Sequence, residues 1–106
     1  MREMRPAQLR EYLQRAEQPV RLLDVREPWE YELCNLPGSH LVPLGQLHTQ
    51  LDHLDRDQET IVICHHGIRS RQAGMYLERY GFKKVINLSG GVDAWAREID
   101  PEMSIY

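Results

Sequence analysis

The sequence lacks the long apolar runs and the one-sided charge that would place it in several large classes of protein. Its net charge of −3 comes from 13 basic and 16 acidic residues that are interspersed along the chain, so neither a nucleic-acid surface nor a polybasic membrane anchor is expected. The first residues contain no apolar leader segment, and no later stretch is apolar enough to span a bilayer. These absences predict a cytoplasmic protein that binds neither nucleic acid nor membranes.

Cysteine is scarce, since Cys34 and Cys64 are the two in the chain. In a reducing compartment such cysteines are expected to be thiols rather than a structural disulfide. The chain also lacks repeats, linkers and low-complexity stretches. Its 106 residues, of which 42% are hydrophobic and 27% charged, suffice for one core. We therefore predict a single domain over residues 1–106.

Apolar segments typical of strands alternate with segments of helical spacing. The predicted strands cover residues 20–25, 41–42, 61–63 and 85–88, and the predicted helices begin at Pro6, Pro28, Leu44, Ser70 and after Gly90-Gly91. This alternation predicts an α/β domain with a small parallel sheet and helices on both faces. Because ligands bind beyond the carboxyl ends of parallel strands, we expect Cys64, Asp24 to Arg26 and Ser89-Gly90 to lie at one edge of the sheet.

The segment from Thr60 to Arg71 carries the chemistry of the chain. A β-branched run ends at Cys64, a tight loop containing Gly67 follows, and helical spacing begins at Ser70. A compact loop that leads into a helix N-terminus directs backbone N–H groups into one concavity, which attracts anions. The thiolate is the nucleophilic form of cysteine, and Arg69 adds a permanent positive charge nearby. The pattern therefore predicts a nucleophilic sulfur at the base of an anion-binding cup.

Four motifs in order then resemble those of one family. The loop Cys64-His65-His66-Gly67-Ile68-Arg69-Ser70 is similar to the active-site loop of rhodanese-like sulfurtransferases of the thiosulfate sulfurtransferase type. The segments that resemble the family's other motifs are Leu22 to Tyr31, Leu36 to His40 and Asn87 to Trp95. The four motifs are spread along most of the chain, from Leu22 to Trp95. The family's fold is a small α/β domain of about five strands.

The resemblance implies an enzyme in which Cys64 takes sulfane sulfur from a small anionic donor such as thiosulfate and holds it as a persulfide. A thiophilic acceptor then removes the sulfur: cyanide in an assay, a thiol or protein thiol in the cell. The cycle needs no metal or organic cofactor. The loop residues that would bind the donor are His65, His66, Gly67, Ile68, Arg69 and Ser70. Asp24 and Arg26 would support the loop or its entrance, or form a structural ion pair alone.

Three alternatives remain beside this interpretation. The first is a non-catalytic binding module on the same fold, which often lacks the cysteine that this chain keeps. The second is phosphatase or arsenate reductase chemistry, but related enzymes use a loop one residue longer than the four residues between Cys64 and Arg69. The third is a metal site formed by His65 and His66, with Cys34, His40 and Cys64 as possible partners. The divergence expected of adjacent side chains and the absence of zinc-type pair spacing disfavour it. Cys34 is expected to pack in the core or, as the alternative, to act as a resolving thiol.

Overall fold

A computed structural model describes residues 1–106 and contains one five-stranded sheet. The strands are β1 (Arg2–Met4), β2 (Arg21–Asp24), β3 (Ser39–Leu41), β4 (Thr60–Ile63) and β5 (Val85–Leu88). All neighbouring pairs are parallel, in the order β1-β5-β4-β2-β3. The α-helices are α1 (Pro6–Arg15), α2 (Pro28–Leu33), α3 (Leu47–Gln50), α4 (Ile68–Arg79) and α5 (Gly91–Glu98).

Two apolar clusters cover the two faces of this sheet. One cluster packs Leu9 of α1 and Trp95 of α5 against alternate strand residues such as Ile61. The other packs Leu77 of α4 against the residues between them, such as Val62. Successive strand residues point to opposite faces, so the central strands β2, β4 and β5 are buried throughout. The predicted parallel sheet with helices on both faces is thus confirmed.

The sequence missed one strand and overestimated one helix. β1 has no apolar run and buries Met4 alone, so its three residues carry no periodic signal. The helix predicted from Leu44 to Leu54 is a short α3 flanked by 3₁₀ turns at Leu44–Gln46 and Leu51–His53. Leucines three and four residues apart suit a 3₁₀ turn as well as an α-helix, which explains the error.

The helix after the cysteine loop begins earlier than predicted, at Ile68 instead of Ser70. It ends at Arg79, and Gly81 follows with a φ of 94°, as its predicted position beyond the helix end requires. No helix of the protein combines the length and the apolar character needed to cross a membrane.

Candidate active site

The carboxyl ends of the three central strands bring the predicted site residues to one edge of the sheet. Asp24 is the last residue of β2, Cys64 directly follows β4, and Ser89 directly follows β5. Because β2, β4 and β5 are adjacent and parallel, these ends meet at the same edge. Cys64 lies at the end of the middle strand of the three, between the other two segments.

The Cys64 sulfur lies at the base of the loop and accepts hydrogen bonds from backbone amides. The Gly67 N–H donates to Sγ at 3.1 Å, and the Ser70 N–H donates at 3.3 Å. The first turn of α4 has N–H groups without intrahelical acceptors, and that of Ser70 is one of them. Both contacts favour a negative charge on sulfur. The residue is 1% exposed, so the sulfur is held inside the loop.

A hydroxyl and an amide extend this network behind the sulfur. Ser70 Oγ lies 3.3 Å from Sγ, and the Ser70 hydroxyl also donates to the side-chain carbonyl of Asn87. In the thiol form Cys64 donates to Ser70, which donates to Asn87. A thiolate would accept from the hydroxyl only if the single Ser70 proton turned from Asn87 to the sulfur. Asn87 Nδ2 donates to the Gly67 carbonyl at 3.0 Å. The Asn87 side chain therefore links the serine to the loop backbone.

The N-terminus of α5 orients the loop from the other side. The Val92 N–H donates to the Cys64 carbonyl at 2.9 Å, and the Asp93 N–H donates to the His65 carbonyl at 3.1 Å. Gly91 makes this approach feasible, because a Cβ at that position would lie 2.4 Å from the Cys64 carbonyl oxygen. These two hydrogen bonds hold the backbone of Cys64 and His65 against the N-terminus of α5.

Gly67 supplies the turn that the loop needs. Its φ is 96°, in the left-handed region, and a Cβ there would lie 3.1 Å from the backbone nitrogen of Gly90. The same residue donates one of the amide hydrogen bonds to Cys64. Its two roles, in backbone conformation and in hydrogen bonding, are thus coupled.

Arg69 forms an ion pair that the sequence did not reveal. Its two terminal nitrogens donate to the two carboxylate oxygens of Glu30 in α2, both at 2.7 Å. The Glu30 side chain is 5% exposed and that of Arg69 36%. Tyr106 also donates to Glu30, at 3.0 Å. Glu30 lies inside the Leu22 to Tyr31 motif, and that position was the one feature of the sequence that could have pointed to it. Tyr106 lies far from the motifs along the chain, and nothing in the sequence indicated its role.

The hydrogen bonds from Arg69 lower the pKa of Glu30 from 4.5 to about 2, and they outweigh burial, which acts in the opposite direction. Burial raises the pKa of Tyr106 to about 12, against the opposing effect of Arg26. Glu30 is therefore ionised and Tyr106 neutral near pH 7.

Replacing Glu30 with glutamine is expected to flatten the acid dependence of stability. A carboxylate whose folded pKa is lowered stabilises the native state above its unfolded pKa, and that stabilisation disappears as the pH falls toward the folded value. For Glu30 the loss falls between about pH 4.5 and pH 2. Urea unfolding of wild type and Glu30→Gln across this window measures it. Identical slopes for the two proteins would contradict the assignment.

Asp24 and Arg26 form a buried ion pair beside this group. Both side chains are fully buried, and the Arg26 guanidinium donates to both carboxylate oxygens of Asp24. Arg26 also donates to the Cys34 carbonyl at 2.6 Å, the Glu30 carbonyl at 3.3 Å and the Tyr106 hydroxyl at 2.9 Å. Burial lowers the pKa of Arg26, but the hydrogen bonds to Asp24 and Tyr106 raise it overall. Arg26 therefore fixes α2 and Tyr106, while its own charge is matched by Asp24.

The two histidines of the loop stay close together instead of diverging. Their rings lie 3.9 Å apart, and the His65 ring stacks on Tyr106 at 3.8 Å with planes 6° apart. Burial, and then the neighbouring His66, lower the pKa of His65, so a neutral ring is favoured near pH 7. Trp29 meets the edge of Tyr106 at 5.9 Å and is 60% exposed. An aromatic surface thus borders the loop.

His65, His66 and Asp93 could hold a metal ion, since each has a potential ligand atom within 4.8 Å of the others. Asp93 already accepts a hydrogen bond from Arg97 at 3.0 Å, and the two histidines are adjacent in sequence. That no metal serves the site stays a prediction from the sequence.

The second cysteine lies away from this arrangement. Cys34 is buried in the apolar cluster with α1 and α5, and Cys64 in the cluster on the opposite face. The Cys34 sulfur lies 3.8 Å from Arg26 Nη1. This placement matches the packing role expected of Cys34.

Comparisons with known proteins agree with this fold. The family model described as Rhodanese-like domain matches residues 5–98. A rhodanese-like domain protein from Staphylococcus aureus superposes with a TM-score of 0.84 at 26% identity, covering 100% of this chain and 99% of that one. A rhodanese-related protein from Thermoplasma volcanium gives 0.83 at 31% identity, covering 93% of this chain and 94% of that one.

Two curated relatives carry names that refer to sulfur. The putative sulfur carrier protein YrkF of Bacillus subtilis is 39% identical over 80 residues, which are 76% of this chain and 43% of that protein. The probable adenylyltransferase/sulfurtransferase MoeZ of Mycobacterium tuberculosis is 31% identical over 103 residues, which are 95% of this chain and 26% of that protein. The chain thus spans less than half of either relative. With the fold, the loop and the family match in agreement, the chain belongs to the rhodanese-like domain family.

Proposed function

We propose that residues 1–106 act as a sulfurtransferase domain that carries sulfane sulfur on Cys64. The observation that carries the proposal is the Cys64 sulfur at the base of its loop, with the Gly67 and Ser70 amides donating to it. Such donors stabilise the thiolate before attack and the persulfide afterwards. The names of the sulfur carrier and sulfurtransferase relatives support the same chemistry.

The reaction proceeds in two half-reactions. The Cys64 thiolate attacks the outer sulfur of a donor such as thiosulfate, a bond forms between the two sulfurs, and sulfite leaves with the electron pair of the broken bond. An acceptor thiolate, or cyanide in an assay, then attacks the terminal sulfur of the persulfide and regenerates the Cys64 thiolate. No net oxidation of the protein occurs, since sulfane sulfur enters and leaves at the same oxidation level.

Steady-state kinetics test this function. Thiocyanate formation from cyanide should require a sulfane donor, and varying both substrates should give the parallel reciprocal plots of a ping-pong mechanism. Intersecting plots would contradict a persulfide intermediate. A folded protein that forms no thiocyanate and retains no sulfur would favour the non-catalytic module.

The protein is not expected to hydrolyse p-nitrophenyl phosphate. Four residues separate Cys64 from Arg69, which is one fewer than in related phosphatases, and the Arg69 guanidinium is directed at Glu30. The loop therefore lacks both the length and the free guanidinium that a tetrahedral oxyanion would need. Release of p-nitrophenolate, compared with that of Cys64→Ser, is the measurement. Release that depends on Cys64 would show that the loop does accommodate a phosphoryl group.

A further inference from the structure

We propose that Glu30 sets the donor class of the Cys64 site, so that singly charged organic sulfane donors, persulfides or thiosulfonates, are preferred over the thiosulfate dianion. This inference rests on the proposed sulfur transfer. It concerns which donor supplies the sulfur, whereas the proposed function concerns whether Cys64 carries it.

The first support is the cancellation of the loop's cation. Arg69 is the one arginine between the loop and α2 that could attract a dianion, and Glu30 pairs with two of its nitrogens at 2.7 Å. The Glu30 carboxylate is 5% exposed and is ionised, so the negative charge opposing Arg69 is permanent and poorly screened. A dianion that approaches Arg69 therefore meets a neutral pair rather than a free positive charge.

The second support is that the other arginines near this edge of the sheet are paired as well. Arg26 is matched by Asp24 at 2.8 Å, and Arg97 by Asp93 at 3.0 Å. Arg71 is matched by Glu3, also at 3.0 Å. No unpaired guanidinium compensates for the loss at Arg69. The amides that donate to the sulfur remain as donors for charge that develops at the reacting atoms.

The third support is the aromatic and apolar surface beside the loop. Tyr106 stacks on His65, which directly follows the nucleophile, and Trp29 meets the Tyr106 ring while 60% exposed. Ile68, the first residue of α4 after the loop, is 66% exposed. Thiosulfate has no organic group to place against such side chains, whereas an organic persulfide or thiosulfonate does.

The transfer step is balanced for either donor class. With a thiosulfonate, the Cys64 thiolate bonds to the outer sulfur, the bond from that sulfur to the sulfonyl group breaks, and a sulfinate leaves with the electron pair. With an organic persulfide, the bond between its two sulfurs breaks and a thiolate leaves. If Cys64 begins as a thiol, its proton passes to the new Cys64 persulfide or to the leaving group.

Methanethiosulfonate and thiosulfate form a matched pair for the test, because a methyl group in the first replaces one charged oxygen in the second. We expect wild type to show the higher kcat/KM with methanethiosulfonate. Glu30→Gln should raise kcat/KM for thiosulfate relative to methanethiosulfonate by about tenfold, since it leaves Arg69 with an uncancelled charge. The matched control is Glu32→Gln, which removes the same charge from an exposed position of α2.

A second measurement on wild type does not depend on the variant folding. Because the Arg69–Glu30 pair carries no net charge, kcat/KM for thiosulfate should change by less than about twofold between low and physiological ionic strength. A wild type that prefers thiosulfate, or a Glu30→Gln donor ratio equal to that of Glu32→Gln, would overturn the inference while leaving Cys64 chemistry intact. Failure of both donors to place sulfur on Cys64 would overturn the proposed function, and this inference with it.

Discussion

Cys64→Ser is expected to lower sulfur transfer by roughly a thousandfold or more, because the whole cycle passes through one sulfur atom. A serine hydroxyl can accept the hydrogen bonds that Gly67 and Ser70 donate to Cys64, so the loop should keep its conformation. An oxygen at this position cannot form the sulfur–sulfur bond of a persulfide. The loss should therefore appear in kcat, with the unfolding free energy nearly unchanged.

Cys34→Ser is the matched control for this variant. Both cysteines are buried thiols, but Cys34 lies in the apolar cluster on the opposite face of the sheet. Thiocyanate formation by Cys34→Ser should stay within a few-fold of wild type, as for a substitution outside the site. Activity that survives in Cys64→Ser but disappears in Cys34→Ser would move the nucleophile to Cys34.

Arg26→Met is expected to lower the free energy of unfolding by about 3–5 kcal/mol, the range for breaking a buried ion pair. The substitution leaves the Asp24 carboxylate fully buried without its cation. It also removes the donor to the Cys34 and Glu30 carbonyls, which hold the end of α2. Urea unfolding monitored by circular dichroism measures the change.

The double variant Asp24→Asn/Arg26→Met separates charge from packing. Removing both charges should recover part of the loss, because an uncompensated buried carboxylate costs more than a neutral pair. Recovery should be incomplete, since the two carbonyls still lack a donor. A single variant that loses less than about 1 kcal/mol, or a double variant less stable than the single, would contradict a stabilising role for the pair.

The sequence was sufficient for the central strands of the sheet, because burial on both faces leaves a strong signal. Ile61, Val62 and Ile63 form a β-branched run, and the structure buries all three in β4. The edge strand β1 gave no such signal, since Arg2 and Glu3 are exposed and the strand is defined by its pairing with β5. Backbone pairing with a distant segment is a tertiary effect that local composition does not record.

The site was predictable to the extent that its residues are contiguous. Cys64 and its loop share one strand–loop–helix unit, so their proximity followed from chain order. Glu30 reaches Arg69 from α2, and Tyr106 in turn donates to Glu30 from the last residues of the chain. This convergence depends on how α2 and the last residues pack. The sequence therefore predicted a cation at the loop but not the carboxylate that neutralises it.

The most direct test of a Cys64 persulfide is the intact mass of the protein after brief incubation with a sulfane donor and removal of the excess. The account predicts a gain of one sulfur atom per chain, located on Cys64 after proteolytic digestion and lost on addition of cyanide with stoichiometric formation of thiocyanate. Cys64→Ser should gain nothing under the same conditions. A folded wild type with a free Cys64 thiol that gains no sulfur from thiosulfate, methanethiosulfonate or an organic persulfide would contradict the account.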